Sequence, residues 1–424
     1  MYTLESFDGI DGENLSDINF NFVNAAPEVE KMGITKSAFR YTRDWKTRFI
    51  LECDDVSIAL ENFDNAISFG SSFLEGKFLC LSQTYSSDDR TILKFGPTSE
   101  PLLFGRPCQV KEACAVILNG PLVFFNQRGL EWEANGVNYK YQPFSSVQSQ
   151  IKDKESISGK VIPTGLLTAR FEEKYAVDYS SAWKEIWRAS KVLTFASGNG
   201  VGVGHVECRG DETEHFWLLG FSKFDRFPRP SNWFDIEMEN EFGFFAKAYH
   251  EFLDSEPSNL PLTYSSDFYR ASNSSRDTSL SLALISSFSA LEILVHHILR
   301  EHAKWSADLL QRGKFADRAR ACAAFIKLQS DPLEQAIGLK EFSYQNNGID
   351  GFTILSEARN SIIHSEKKSF ARNGFELVEL WVMCQWLVEV FTFYLVGYRG
   401  KMADRRRLTG WRGEGTKEVP IKLP

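Results

Sequence analysis

The chain has 424 residues, 43% of them hydrophobic and 25% charged, which excludes disordered, collagen-like and fibrous low-complexity classes. Its formal net charge of −8 excludes a chain-wide basic field for nucleic acid. Residues 277–424 nevertheless hold 20 Lys and Arg against 17 Asp and Glu, which leaves a net −11 on residues 1–276.

The seven cysteines, Cys53, Cys80, Cys108, Cys114, Cys208, Cys322 and Cys384, are scattered and contain no CxxC pair. Neither a zinc knuckle nor a disulfide framework is written in them. The opening MYTLESFDGIDGENLSD lacks the basic and apolar regions of a signal peptide.

Residues 1–175 read as a β-rich domain. Its clearest element runs from Leu130 to Tyr141, where apolar and polar residues alternate on both sides of Asn135-Gly136. Asn-Gly is the strongest short hairpin signal because both turn positions take positive φ. The register sets Trp132 against Tyr139 and Glu131 against Lys140. Arg48–Cys53, Lys77–Ser82, Thr91–Phe95 and Pro121–Phe125 are further strand candidates.

Residues 176–256 are mixed. Tyr179–Leu193 and Asp235–Leu253 have helical spacing, while Val201–Arg209 with Glu214–Phe221 suggests a hairpin. The series Gly198, Gly200, Gly202, Gly204 has neither the G-x-G-x-x-G spacing nor a following Lys-Ser/Thr, so it reads as a turn entering a strand.

From Pro257 the pattern is helical. Asp277 or Thr278 would cap a helix reaching about His302 and apolar on most faces, as expected for a central element of a bundle. Phe315–Leu328, Pro332–Gly338, Phe352–His364 and Phe375–Tyr398 follow, giving an antiparallel bundle over 257–400. Glu292, His296 and His297 interrupt the first apolar segment, and Glu376, Glu379 and Glu389 the last. Both read as buried helices and not as membrane spans, and the expected compartment is the cytoplasm. Residues 401–424, with Arg405-Arg406-Arg407, read as a basic tail.

The stretch Ala358-Arg359-Asn360-Ser361-Ile362-Ile363-His364 carries the most chemistry. Histidine moves a proton near neutrality, arginine matches phosphate oxygens, and asparagine adds a neutral donor and acceptor. Together they suit cleavage of RNA by its own 2′-hydroxyl: a base takes the hydroxyl proton while a cation stabilises charge on phosphorus. No metal or other cofactor is needed. In a straight helix Asn360 and His364 share a face, but positions 359 and 364 stand about 140° apart. The trio therefore converges only if the helix deforms or a second copy contributes. The plainer reading is a helix C-terminus at which His and Lys meet the dipole.

Arg209 and His215 have a similar spacing in a region read as strands. His205-Val-Glu207 echoes the H-x-E of zinc deaminases without the downstream P-C-x-x-C. G-x-S-x-G and HExxH are absent, and His296, His297 and His302 are not arranged as metal ligands. Glu292 either pairs with His296 at i+4 or supports the site from a neighbouring helix.

Ala358–His364, with the upstream helix Phe288–Leu299, resembles the HEPN superfamily, in particular its Apea-like branch. The resemblance covers about residues 257–400. It implies an α+β protein in which a β-rich N-terminal region precedes a helical bundle that dimerises. It also implies a metal-independent ribonuclease whose Arg-x4-6-His motif maps onto Arg359, Asn360 and His364. Family members often act as toxins or in anti-phage defence of the abortive-infection kind, where RNA cleavage halts growth. The expected partners are an RNA substrate (tRNA among the candidates) and a second copy of the chain. Lys367, Lys368, Arg405, Arg406 and Arg407 would guide RNA, and the N-terminal region would sense a trigger protein or ligand. A non-catalytic HEPN interaction or nucleic-acid-binding module is the alternative.

Overall fold

In the computed structural model the described residues are 18–21, 34–41, 47–53, 67–70, 74–85, 91–97, 101–104, 106–121, 129–144, 162–172, 177–211, 214–219, 225, 232–234, 238–255, 259–364, 374–407 and 415–422. The chain is α+β: an antiparallel sheet comes first and a helical region follows. Its contacts divide it into two units. The first comprises 1–120, 136–190 and 201–227; the second comprises 121–135, 191–200 and 228–424.

The first unit is built on strands β1 (Ile18–Asn21), β2 (Ile34–Tyr41), β3 (Thr47–Cys53), β4 (Ile67–Gly70), β5 (Leu74–Tyr85), β6 (Thr91–Pro97), β7 (Leu102–Phe104) and β8 (Glu112–Leu118). It also holds β10 (Val137–Pro143), β11 (Pro163–Phe171), β12 (Gly202–Arg209) and β13 (His215–Leu219). Their order is β1-β2-β3-β6-β5-β7-β13-β12-β8-β11-β10, with β4 on β5. Central β8 is buried along nearly its whole length between β11 and β12. The strands read at 48–53, 77–82 and 91–95 are there, each somewhat longer than its apolar run. Pro121–Phe125 falls, but for Pro121, outside the described residues.

β9 (Leu130–Ala134) leads into β10 through Asn135 and Gly136, at φ 52° and 75°. Both turn residues thus adopt the left-handed conformation that Asn-Gly tolerates. Burial alternates as expected: Trp132 and Tyr139 are buried, Glu131 and Lys140 exposed.

Helix α1 (Tyr179–Ser197) follows, then α2 (Glu239–Asp254), α3 (Leu260–Ser275) and α4 (Leu280–His297). A π-helical turn, Ile298–His302, extends α4. After it come α5 (Ala307–Arg312), α6 (Phe315–Phe325), α7 (Ile337–Gln345), α8 (Gly351–His364) and α9 (Gly374–Val396). From Glu379 to Val396 every residue of α9 is buried, so α9 runs through the core of the second unit. The helix expected at 277–302 takes a central place as well, for α4 packs against α3, α6, α8 and α9, although Leu282 and His296 stay exposed. Both α4 with its π-helical turn and α9 are long and apolar enough to cross a membrane by length and composition.

Two readings are corrected. Pro332–Gly338 is a turn, and the helix begins only at Ile337, where the Glu379 carboxylate accepts the Gly338 and Leu339 amides at 3.2 and 2.9 Å. The stretch after residue 400 begins as folded structure and not as a solvated tail. β14 (Lys401–Ala403) pairs with β15 (Thr416–Glu418), the Ala403 amide donates to the Trp233 carbonyl at 2.7 Å, and Ile421 bridges to Leu328.

Candidate functional site

The chemistry-bearing helix α8 is fixed at its start and along its inner face. Asp350 caps its start, with Oδ1 accepting the Thr353 amide at 2.8 Å and the main-chain carbonyl accepting that of Ile354 at 3.0 Å. Arg320 of α6 clasps Asp350 (Nη2 to Oδ1, 3.0 Å) and reaches the Thr353 hydroxyl. Burial alone would raise the Asp350 carboxyl, but Arg320 and the Thr353 amide outweigh it and hold the group below its ordinary range. Phe352, Ile354, Leu355 and Ala358 form the inner face, all buried.

The last two turns carry the motif. Arg359 and Asn360 are half-buried. The Arg359 guanidinium lies 5.6 Å over the Phe288 ring of α4, a cation–π contact, and its Nη1 donates to Asn360 Oδ1 at 3.1 Å. Phe288 in turn packs on Phe315 of α6, ring centroids 4.2 Å apart. α8 remains α-helical through His364, its last residue, so positions 359 and 364 stand about 140° apart around one axis while 360 and 364 share a side. The His364 side chain, Lys367 and Lys368 lie outside the described residues.

One turn beyond Phe288 on α4, Glu292 meets Arg318 of α6 at 3.0 Å. Its partner is therefore Arg318, the nonlocal arginine, and not His296. Past this pair a shallow pocket of about 360 Å³ opens among Pro261, Glu292, His296, His297, Arg300 and Arg318. Burial lowers the His297 imidazole, with His302 adding to the effect, and His302 is lowered by burial and by Lys304. Glu292 and His296 were read as an i, i+4 pair, and the same spacing extends to Arg300, which that reading left out; Arg318 has no local sequence signal.

Arg405 and Arg406 are corrected as RNA guides. Both are buried, Arg405 with its Nε 3.1 Å from Glu389 Oε1 and Arg406 stacked 3.6 Å from the Trp386 ring centre. Arg406 also forks onto Asp404 (2.9 and 2.8 Å) and donates to the Asp331 carbonyl at 2.7 Å. Only Arg407 of the run is exposed.

The look-alikes resolve as structure. Arg209 and His215 face each other across β12 and β13, and Arg209 binds Glu207 and Glu112 at 2.8 and 3.2 Å. His205 is buried in β12, and that burial pushes its imidazole down to about 4. Cys108, Cys114, Cys208, Cys322 and Cys384 are free thiols. Among the described residues no three His, Cys, Asp or Glu side chains gather as a metal ligand set.

No curated protein and no solved structure matches the chain. Residues 261–417 match the family model of the YopA C-terminal domain, a span that runs from the start of α3 into β15 and so takes in Arg405 and Arg406.

Proposed function

We propose that the protein is a metal-independent endoribonuclease of the HEPN type that works as a homodimer in the cytoplasm. The observation that carries this reading is the Arg359–Asn360 pair. A guanidinium is held on Phe288 and bonded to Asn360, half-exposed, on the helix that ends at His364.

Arg359 would hold the scissile phosphate and stabilise charge developing on it. Asn360 would orient the substrate or His364. His364 would take the 2′-hydroxyl proton or protonate the leaving 5′-oxygen. Because α8 is regular through residue 364, Arg359 and Asn360 of one protomer would act beside the partner subunit's His364, with two motifs facing one cleft. RNA cleavage of this kind arrests growth, which fits a regulated toxin or anti-phage effector.

The test uses purified full-length protein on total RNA and on a tRNA pool with EDTA present. Wild type should leave cyclic-phosphate ends. His364→Ala should lose about 10²–10⁴-fold in rate and Arg359→Ala about 10²–10³-fold, with unchanged thermal melts. Equal cleavage by wild type and His364→Ala would remove His364 as the catalyst. The divergence of positions 359 and 364 also favours a second reading, a non-catalytic interaction module, in which growth arrest on expression is indifferent to His364→Ala.

A further inference from the structure

The pocket between α3, α4 and α6 lies apart from Arg359 and Asn360 and, of the candidate residues, takes in only Glu292. Arg300, Arg318, His296, His297 and Glu292 line it beside Ile293 and Pro261, and most of the surface facing it comes from their apolar atoms. Glu292 is already neutralised by Arg318, so the pocket's formal balance is +1 with both imidazoles neutral. Arg318 is held at the wall by that pair, its side chain 14% exposed, and its Nε is buried without a hydrogen-bond partner.

Arg300 is differently placed. It is half-exposed, and its contact with Glu301 is a 3.5 Å surface pair between adjacent residues. Such pairs are worth little and exchange readily for a better acceptor. His296, one turn earlier on α4, is exposed beside it. The π-helical turn begins directly after His297, and irregular turns of this kind recur at ligand sites because they re-aim side chains.

We infer that this pocket is a phosphate-binding site in which Arg300 and His296 contact the phosphate oxygens and the Glu292–Arg318 pair forms the back wall. A volume of about 360 Å³ accepts a phosphate with part of its sugar. The natural source follows from position. Phe288, which seats Arg359, and His296 lie about two turns apart on α4, and Arg300 follows on its π-helical extension. Residues 288 and 296 are about 12 Å apart along the axis at 1.5 Å per residue. A single RNA strand with its scissile phosphate at Arg359 would place a phosphate farther along the strand, beyond the adjacent nucleotide, here. This choice of source rests on the ribonuclease reading; a free phosphate monoester offers the same chemistry.

Two probes separate the sources. The first is a fluorescein-labelled 12-nucleotide single-stranded RNA, titrated by anisotropy over a salt series into full-length His364→Ala protein, whose expected rate loss keeps the strand intact during the titration. The second is adenosine monophosphate, titrated by calorimetry into wild type. Adding Arg300→Gln should weaken RNA binding about tenfold and lower the salt slope by about 0.7. His296→Gln should act in the same direction, and thermal melts should be unchanged. If RNA binding is unaffected by both substitutions but weakened by Arg359→Gln, the pocket is no phosphate site and the nuclease reading stands. If RNA does not bind while adenosine monophosphate binds and Arg300→Gln abolishes it, the pocket takes a free monoester and the nuclease reading falls. No saturable binding of either probe, or binding indifferent to Arg300 and His296, overturns the proposal.

Discussion

Glu389 and Arg405 have side chains 0% and 1% exposed, and taking both charges out of water is costly unless their partners are complete. The Tyr269 hydroxyl donates to Glu389 Oε1 at 2.6 Å, and the Arg405 guanidinium faces the rings of Tyr269 and Trp381 at 5.8 and 5.3 Å. Breaking the pair from one side strands the other charge, so Arg405→Met should cost about 3–5 kcal/mol. The double variant Glu389→Leu/Arg405→Met should recover most of that loss in a urea melt. Burial pushes the Glu389 carboxyl up to about 7 against the pull of Arg405 and Tyr269. A group whose folded pKa is raised contributes stability below its unfolded pKa, near 4.3, and loses it as pH rises through about 7. Wild type should therefore lose stability relative to Glu389→Gln between pH 5.5 and pH 8. An unchanged difference in urea midpoint would show that the carboxyl titrates outside this window. Both counter-charges of the Arg405–Arg406 run explain why it read as a tail. Asp404 is adjacent, but Glu389 lies a helix away, and no local pattern announces that an arginine will be buried against it.

At the scale of elements, α8 depends on its cap. Asp350→Ala removes the acceptor of the Thr353 amide and should cost about 0.5–2 kcal/mol, while Asp350→Asn should cost less because it keeps an acceptor. The Asp350 carboxyl is held below its ordinary range. Its contribution is therefore present above the unfolded pKa, near 3.9, and disappears as pH falls through the depressed folded value. The gap in thermal midpoint between wild type and Asp350→Ala should be full at pH 7 and narrow below pH 4; a constant gap would assign the loss to packing alone. Caps also mark where sequence reading reached its limit. The cap expected at Asp277 or Thr278 is instead Ser279, whose hydroxyl accepts the Leu282 amide at 3.3 Å, although all three are good capping residues. Three equivalent candidates in a row cannot be ranked without the backbone. The start of α7 was less legible still, because its cap is Glu379, about 40 residues downstream. The Asn135-Gly136 turn and α8 itself were legible because their signals are local: positive φ at two positions, and an apolar stripe ending in Arg-Asn-x-x-x-His.

Across the whole molecule, the aromatic core of the second unit ignores chain order. Phe195, near the end of α1, stacks with Phe245 at 5.7 Å and packs against Tyr249, Tyr269 and Trp233 at 5.4, 5.0 and 5.9 Å. Trp233 meets Phe393 of α9 at 5.0 Å, and its indole Nε1 donates to the Phe195 carbonyl at 3.1 Å. A bundle bounded at 257, as periodicity alone suggests, leaves Phe195, Trp233 and Phe245 behind. The aromatic excess was visible in the composition, but which rings share a core depends on contacts between segments far apart in the chain. Each large ring removed from a packed core costs about 3–5 kcal/mol, and a domain holds only about 5–15 kcal/mol in all. Three such losses together, about 9–15 kcal/mol, are as large as that whole stability. A fragment of residues 257–424 should therefore show helical far-ultraviolet circular dichroism but no near-ultraviolet aromatic signal and no cooperative melt. The full chain should show all three. A cooperative melt of the fragment within a few degrees of the full chain would mean that the rings on 191–253 only cover a bundle already complete. It would also permit cleavage assays on the fragment, which for the structure as it stands belong on the intact chain.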